Sequence, residues 1–210
     1  MASSDPQRAA LSDLPVFPLR TVLFPGGALP LRVFEARYLD MVRDCMQRDV
    51  PFGVCLITEG KEVGETPRHE DVGCLARITE WDMQQLGVLQ IRTRGGERFR
   101  IASRRVQADG LIRAEAQPLE PDDDETVPEQ FAMCASLVRR IVEDLVEKEA
   151  NAIARMVGEP YLYHSASWVS NRLSEFLPIS AKAKQKLMEL PDPLARLAIV
   201  HRYLEQHQVL

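Results

Sequence analysis

The residue types that carry catalysis are present in this chain but are not gathered. Its four histidines, His69, His164, His201 and His207, are scattered, and no H-E-x-x-H pair places two of them on one helical face for a metal. Its four cysteines, Cys45, Cys55, Cys74 and Cys134, form no C-x-x-C pair. Three of them lie in apolar stretches, where burial raises a thiol's pKa and leaves it inert. No G-x-x-x-x-G-K-[ST] loop cradles a phosphate, and no G-x-S-x-G elbow presents a nucleophile. The expectation is therefore a protein that is not an enzyme, with no catalytic, cofactor-binding or metal residue assigned and no nucleotide partner.

Binding is the chemistry that remains, and two sets of side chains suggest it. Arg92, Arg94, Arg98 and Arg100 alternate with other residues around Gly95-Gly96. If that pair is a two-residue hairpin turn, all four project from one side of one hairpin, as a patch for an anion or RNA. No aromatic residue interleaves them, so the base-stacking half of an RNA platform is missing. A solvated face partnered by Glu97 and Glu115 is the competing reading. The second set is apolar: Phe24, Trp81, Met83, Tyr161, Tyr163 and Trp168, candidate anchors for a polypeptide. Packing in the interior is the alternative for Phe24 and for the 161–168 loop.

The elements that must position these residues start with a ribbon, Leu14 to Phe34, carrying prolines at 15, 18, 25 and 30. Each proline fixes φ and removes a donor, so the ribbon is neither helix nor a good central strand. It reads as two extended segments joined by a type II turn at Phe24-Pro25-Gly26-Gly27. Apolar residues at three- and four-residue spacing predict a helix over 34–47. A buried strand over 51–58 follows, then a polar loop over 59–71. Four antiparallel strands are expected at 72–80, 86–94, 97–107 and 110–118, with turns at Gly95-Gly96 and Asp109-Gly110. The acidic stretch 119–125 marks a boundary. Thr126-Val127-Pro128-Glu129 reads as a capping box opening a helix over 127–156, with a kink or break near Ala150–Asn151. Helices over 168–177, 181–190 and 193–207 complete the chain, the last capped by Asp192 before Pro193.

These elements divide into a loose tail at 1–12, a sheet lobe at 13–120 with one helix, and an all-helical lobe at 126–210. At 210 residues, with 45% apolar and 27% charged content, the chain is long enough to bury a core without staples. A net charge of −5 lacks the basic footprint of a nucleic-acid binder. MASSDPQRAA has no apolar leader core, and no run approaches the ~20 apolar residues of a membrane span. A cytoplasmic protein with reduced thiols and no membrane partner is expected.

The ribbon also carries a resemblance. LPVFPL at 14–19, FPG at 24–26 and LPL at 29–31, before the helix opening Phe34-Glu35-x-Arg37-Tyr38, resemble the N-terminal domain of the Lon protease family. So do DVGCLARI at 71–78 and GERFRI at 96–101, and in the helical half FLP at 176–178, KQKLME at 184–189 and PLARL at 193–197. The likeness is to free-standing bacterial members without ATPase or protease domains. It implies an α+β fold: a PUA-like β-barrel lobe with one helix, followed by an all-α C-terminal helical bundle. It also implies substrate binding: a non-catalytic module or adaptor that takes unfolded or apolar polypeptide segments, or a partner protein, at the junction of barrel and helices. An RNA-binding PUA-like module is the alternative.

Overall fold

Proline-rich β1 (Leu14–Leu19) is buried along its whole length. It lies between two neighbours, parallel to β3 (Phe52–Glu59) and antiparallel to β6 (Ile112–Pro118). This corrects the expectation that the ribbon is poor as a central strand. Each neighbour covers only half of it: β6 pairs with Leu14–Val16 and β3 with Val16–Leu19. A proline therefore disturbs one ladder at most, and only where its missing N–H would face the single neighbour present.

The structure, a computed structural model, describes residues 11–123, 125–148 and 160–209. Most of the expected tail, the end of the 127–156 helix and its kink near Ala150–Asn151 lie outside the described residues. Cα proximity separates two units, Met1–Leu23 with Leu29–Leu119, and Phe24–Ala28 with Glu120–Leu210.

The first unit is a mixed six-stranded sheet with one helix, an α+β arrangement. Besides β1, β3 and β6 it contains β2 (Ala28–Val33), β4 (Arg68–Gln85) and β5 (Val88–Val106), in the order β2-β5-β4-β3-β1-β6. β5 also pairs with β6, which joins β5, β4, β3, β1 and β6 in a cycle of pairings; β2 stands outside it on β5, so the six strands do not all close into one barrel. Helix α1 (Ala36–Arg48) buries Tyr38, Met41, Val42 and Cys45 against one face of the sheet, where Phe17 stacks on Tyr38 at 4.0 Å between ring centroids. Leu14, Val16, Leu75, Phe99, Ile101 and Ile112 form a second apolar cluster.

Gly95-Gly96 is not a hairpin turn. β5 runs through it, and the register steps from Cys74↔Arg98 to Ala76↔Gly95, so three β5 residues span what two span on β4. The extra residue makes a bulge, a use of glycine as natural as a turn. It reverses the phase of the strand: Leu89 and Ile91 join the cluster of α1, whereas Phe99 and Ile101 join the other. The true turn of this hairpin is Leu86-Gly87, beyond the Gln85↔Val88 pair. The second expected turn holds, as a longer loop over 107–111 in which the Gln107 amide donates to the Leu111 carbonyl at 2.8 Å.

In the second unit, helices α2 (Ala132–Lys148), α3 (Ala166–Phe176), α4 (Ala181–Glu189) and α5 (Pro193–Gln206) follow one another. Three starts are capped by side chains that satisfy orphan amides: Ser165 for α3, Ser180 for α4, and Asp192, which accepts from Leu194 and Ala195, for α5. The expected capping box at Thr126 is absent. Thr126 pairs in an isolated bridge with Ser165, and α2 begins later, after a short 3-10 turn over Glu129–Phe131.

α3 packs against α2, α4 and α5, and its buried set includes Ser170, Asn171, Arg172 and Ser174. Arg196 of α5 is also fully buried. Its guanidinium donates to Asp122 at 2.8 and 2.5 Å, to Asn171 Oδ1 at 2.5 Å and to the Leu190 carbonyl at 3.2 Å. Asp122 also accepts from Ser167 Oγ at 2.7 Å. Removing one partner of such a pair strands a charge in the interior. Asp122→Ala should therefore lower unfolding free energy in urea by about 3 kcal/mol or more. Asp123→Ala, one residue on and exposed, should stay within about 0.5 kcal/mol.

Candidate functional site

Strand β4 extends past β3, its neighbour on one side. β3 accompanies β4 from Arg68 to Ala76; from Arg77 to Gln85, β4 pairs only with β5 among the described strands. Released from a second neighbour, this stretch exposes Trp81 (59%), Met83 (47%) and, in the turn, Leu86 (94%). Trp81 stands opposite Ile91, which is buried with Leu89 in the α1 cluster. Most of the Trp81 surface faces solvent. The ion pair between Arg92 Nε and Glu80 Oε2, at 3.5 Å, compensates charge beside it. The structure brings Trp81 and Met83 together two positions apart on one strand, and adds Leu86. The signal for Leu86 was available: a Leu-Gly pair inside an alternating run reads as a turn.

The arginines do not form one patch. The bulge at Gly96-Glu97 places Arg98 opposite Cys74, on the side of the α1 cluster, while Arg94 lies opposite Arg77 on the other side. Arg92 shares the phase of Arg94, and Arg100 that of Arg98. Arg98 is buried, Arg92 and Arg94 are half-buried, and Arg100 is exposed. One continuous strand with a phase reversal replaces the two paired strands expected from the sequence.

In the second unit, Tyr161, Tyr163 and Trp168 pack together, with the Tyr163 and Trp168 rings edge to face at 5.2 Å. The Arg139 guanidinium lies 4.8 Å over Tyr163. Trp168 is buried and both tyrosines are half-buried, so mutual packing takes up much of their surface.

Phe24 is fully buried, which removes its ring from any contact surface. It opens the expected turn: the Gly27 amide donates to the Phe24 carbonyl at 3.0 Å, with Gly26 at φ 73, a value that glycine adopts without strain. Arg172 Nη2 donates to the Pro25 carbonyl at 2.8 Å and lies 3.2 Å from Glu175 Oε1. A Cβ on Gly27 would overlap that carboxylate, so this glycine is what lets the turn sit against Glu175. Burial pushes the Glu175 carboxyl up to about 7, against the pull of Arg172, Lys184 and a hydrogen bond from the Phe24 backbone. Lys184 donates to the Glu175 carbonyl at 2.6 Å, and burial lowers its own pKa.

The remaining reactive groups are muted. Burial drives the Cys55 thiol far up, raises Cys45 and Cys134 to about 11, and lowers His69, which faces the Arg104 guanidinium at 3.2 Å. Among the described residues, no group of three His, Cys, Asp or Glu side chains could hold a metal, and no helix is long and apolar enough to cross a membrane.

The first unit thus combines a mixed sheet with an exposed apolar hairpin end. The family model of the ATP-dependent protease La (LON) substrate-binding domain matches residues 13–206, and the chain belongs to that family. The matched domain is the family's binding part and not its catalytic one. A solved Lon N-terminal domain protein from Xanthomonas campestris is 36% identical, with a TM-score of 0.72 over 91% of this chain and 98% of its own. The N-terminal domain of a Mycobacterium avium complex Lon protease, 16% identical, shares the fold with a TM-score of 0.62 over 93% of this chain and 99% of its own. Lon protease 2 of Myxococcus xanthus is 28% identical over 203 residues, 92% of this chain and 23% of that protein. Cereblon of Danio rerio is 31% identical over 114 residues, 52% of this chain and 26% of that protein. The chain thus spans about a quarter of the length of the curated relatives it matches.

Because the fold raises the Glu175 pKa, the native state holds a proton that the unfolded chain releases. Stability should fall as pH rises from about 4.5, the ordinary value, through about 7. Glu175→Gln, which keeps the neutral shape, should match the parent in thermal melts at acid pH. Above neutrality it should be the more stable protein, by about 3 kcal/mol.

Proposed function

We propose that this protein is a non-catalytic module that binds exposed apolar segments of unfolded polypeptides through the β4–β5 hairpin, or uses the same surface as an adaptor for a partner protein. The single observation that carries this reading is the exposed set Trp81, Met83 and Leu86 at the hairpin end, where β4 pairs only with β5 among the described strands. Soluble proteins seldom leave such a group uncovered without a use for it. The family's description as a substrate-binding domain supports the reading, as do relatives named Lon protease. Of the six anchors expected from the sequence, Trp81 and Met83 carry the site. Phe24 and Trp168 are assigned to the interior, and Tyr161 and Tyr163 to packing beside Trp168.

The finer architecture belongs to the same reading: a PUA-like sheet lobe over 13–120 and a helical bundle over 126–210, working in the cytoplasm. Pairing of β5 with both β4 and β6 favours the first, and four buried free cysteines suit a reducing compartment. RNA binding is the weaker alternative, because the bulge divides the arginines between two sides of the strand.

Titration calorimetry with a reduced, permanently unfolded protein should give micromolar affinity, roughly −8 kcal/mol. Trp81→Ala combined with Met83→Ala should weaken it by about tenfold or more. Ile199→Ala, an exposed apolar site of the second unit, should leave it unchanged. Absence of binding to any unfolded or apolar ligand would contradict the proposal.

A further inference from the structure

An extended polypeptide can be held at a strand in two ways. It can add to the sheet through main-chain hydrogen bonds, or its side chains can be anchored by exposed apolar groups. Strand addition needs a regular run of N–H and C=O groups along an open edge. Among the described strands, β4 has an open edge from Arg77 onward, where β3 has ended. That edge is irregular. The step from Ile78↔Thr93 to Glu80↔Arg92 uses two residues of β4 against one of β5, and the step from Asp82↔Gln90 to Gln85↔Val88 uses three against two. Both extra residues fall on the outer strand, leaving only Glu80 to Asp82 in even register between them. Insertions of this kind bend a strand and interrupt its ladder, and they are a common guard against pairing at an open edge. Trp81 sits at the centre of the short even run, opposite buried Ile91, with Met83 and Leu86 beyond. Side chains are offered where the backbone is withheld.

We propose that the hairpin recognises apolar side chains of an unfolded polypeptide without adding that polypeptide to the sheet, so that recognition is independent of the peptide's main-chain hydrogen bonds. The inference rests on the polypeptide-binding reading above and specifies the segment taken: short stretches rich in aromatic and branched aliphatic residues, including those that proline bars from a β-ladder. A polypeptide is the occupant because the family is a substrate-binding domain of a protease. A second copy of this chain fits less well, since edge-to-edge pairing of two hairpins would need the ladder that β4 lacks.

The test titrates the full chain, by fluorescence anisotropy, with one labelled Leu- and Phe-rich peptide of about ten residues and with two forms of it N-methylated at alternate residues, one in each phase, so that either edge loses its donors. The three affinities are expected to agree within about threefold, and Trp81→Ala is expected to weaken each by about tenfold or more, with Trp81→Phe restoring most of the loss. If the unmodified peptide binds and either methylated form loses more than about tenfold, strand addition holds the peptide and the inference falls, while polypeptide binding stands. Binding of all three that survives Trp81→Ala removes the site from the hairpin and overturns the inference. No binding of the unmodified peptide removes both readings.

Discussion

Two guanidinium groups without solvent access set the terms for the second unit. Taking an ion out of water costs several kcal/mol unless acceptors surround it. Arg172 and Arg196 are both fully buried, and each takes one of its acceptors from far along the chain. The Pro25 carbonyl lies 147 positions before Arg172, and Asp122 lies 74 before Arg196. Neither acceptor belongs to a helix. The four helices are therefore not self-sufficient: a turn from the N-terminal ribbon and an acidic stretch beside the boundary complete their interior. Buried α3, with its serines and Asn171 turned inward, is the element both networks share.

The first unit is organised by apolar burial instead. Two clusters account for its buried strands, and β1 can be lined with prolines because each of its neighbours covers half of it. Where β3 ends, β4 continues with β5 as its one neighbour among the described strands, while β5 is also paired with β2. The same feature that exposes Trp81 and Met83 leaves an edge that the register shifts then disturb. Exposure of side chains combined with disturbance of backbone pairing suits the proposed polypeptide-binding surface, since a disturbed edge guards against aggregation.

Features fixed by local chemistry were legible in the sequence. The Phe-Pro-Gly-Gly turn, the Ser180 cap, the Asp192-Pro193 start and the span of α1 follow from short patterns with one physical solution each. Gly95-Gly96 had two, a turn or a bulge, and only pairing with β4 selects the bulge. Thr126 fits a capping box by spacing, but a bridge to Ser165, 39 positions later, claims it instead. Asp122 reads as one of an acidic run; that it turns inward depends on Arg196, which no local pattern announces. The arginine patch failed for the reason the turn failed, since one inserted residue reverses every later side chain. Trp81 and Met83 were legible as candidates because they stand at the end of an expected strand. Phe24 was not separable from them, since its burial depends on the turn's seat beside Arg172 and Glu175.

The central claim is that the hairpin end is where polypeptide is held, and photo-cross-linking tests it most directly. A photoreactive side chain would replace Met83 in one protein and, in another, Ile199, a comparably exposed apolar residue of the second unit. With a radiolabelled unfolded polypeptide, the account predicts a cross-link at position 83, reduced when Trp81 is also replaced by Ala, and none above background at 199. Cross-linking at 199 with position 83 silent would contradict it.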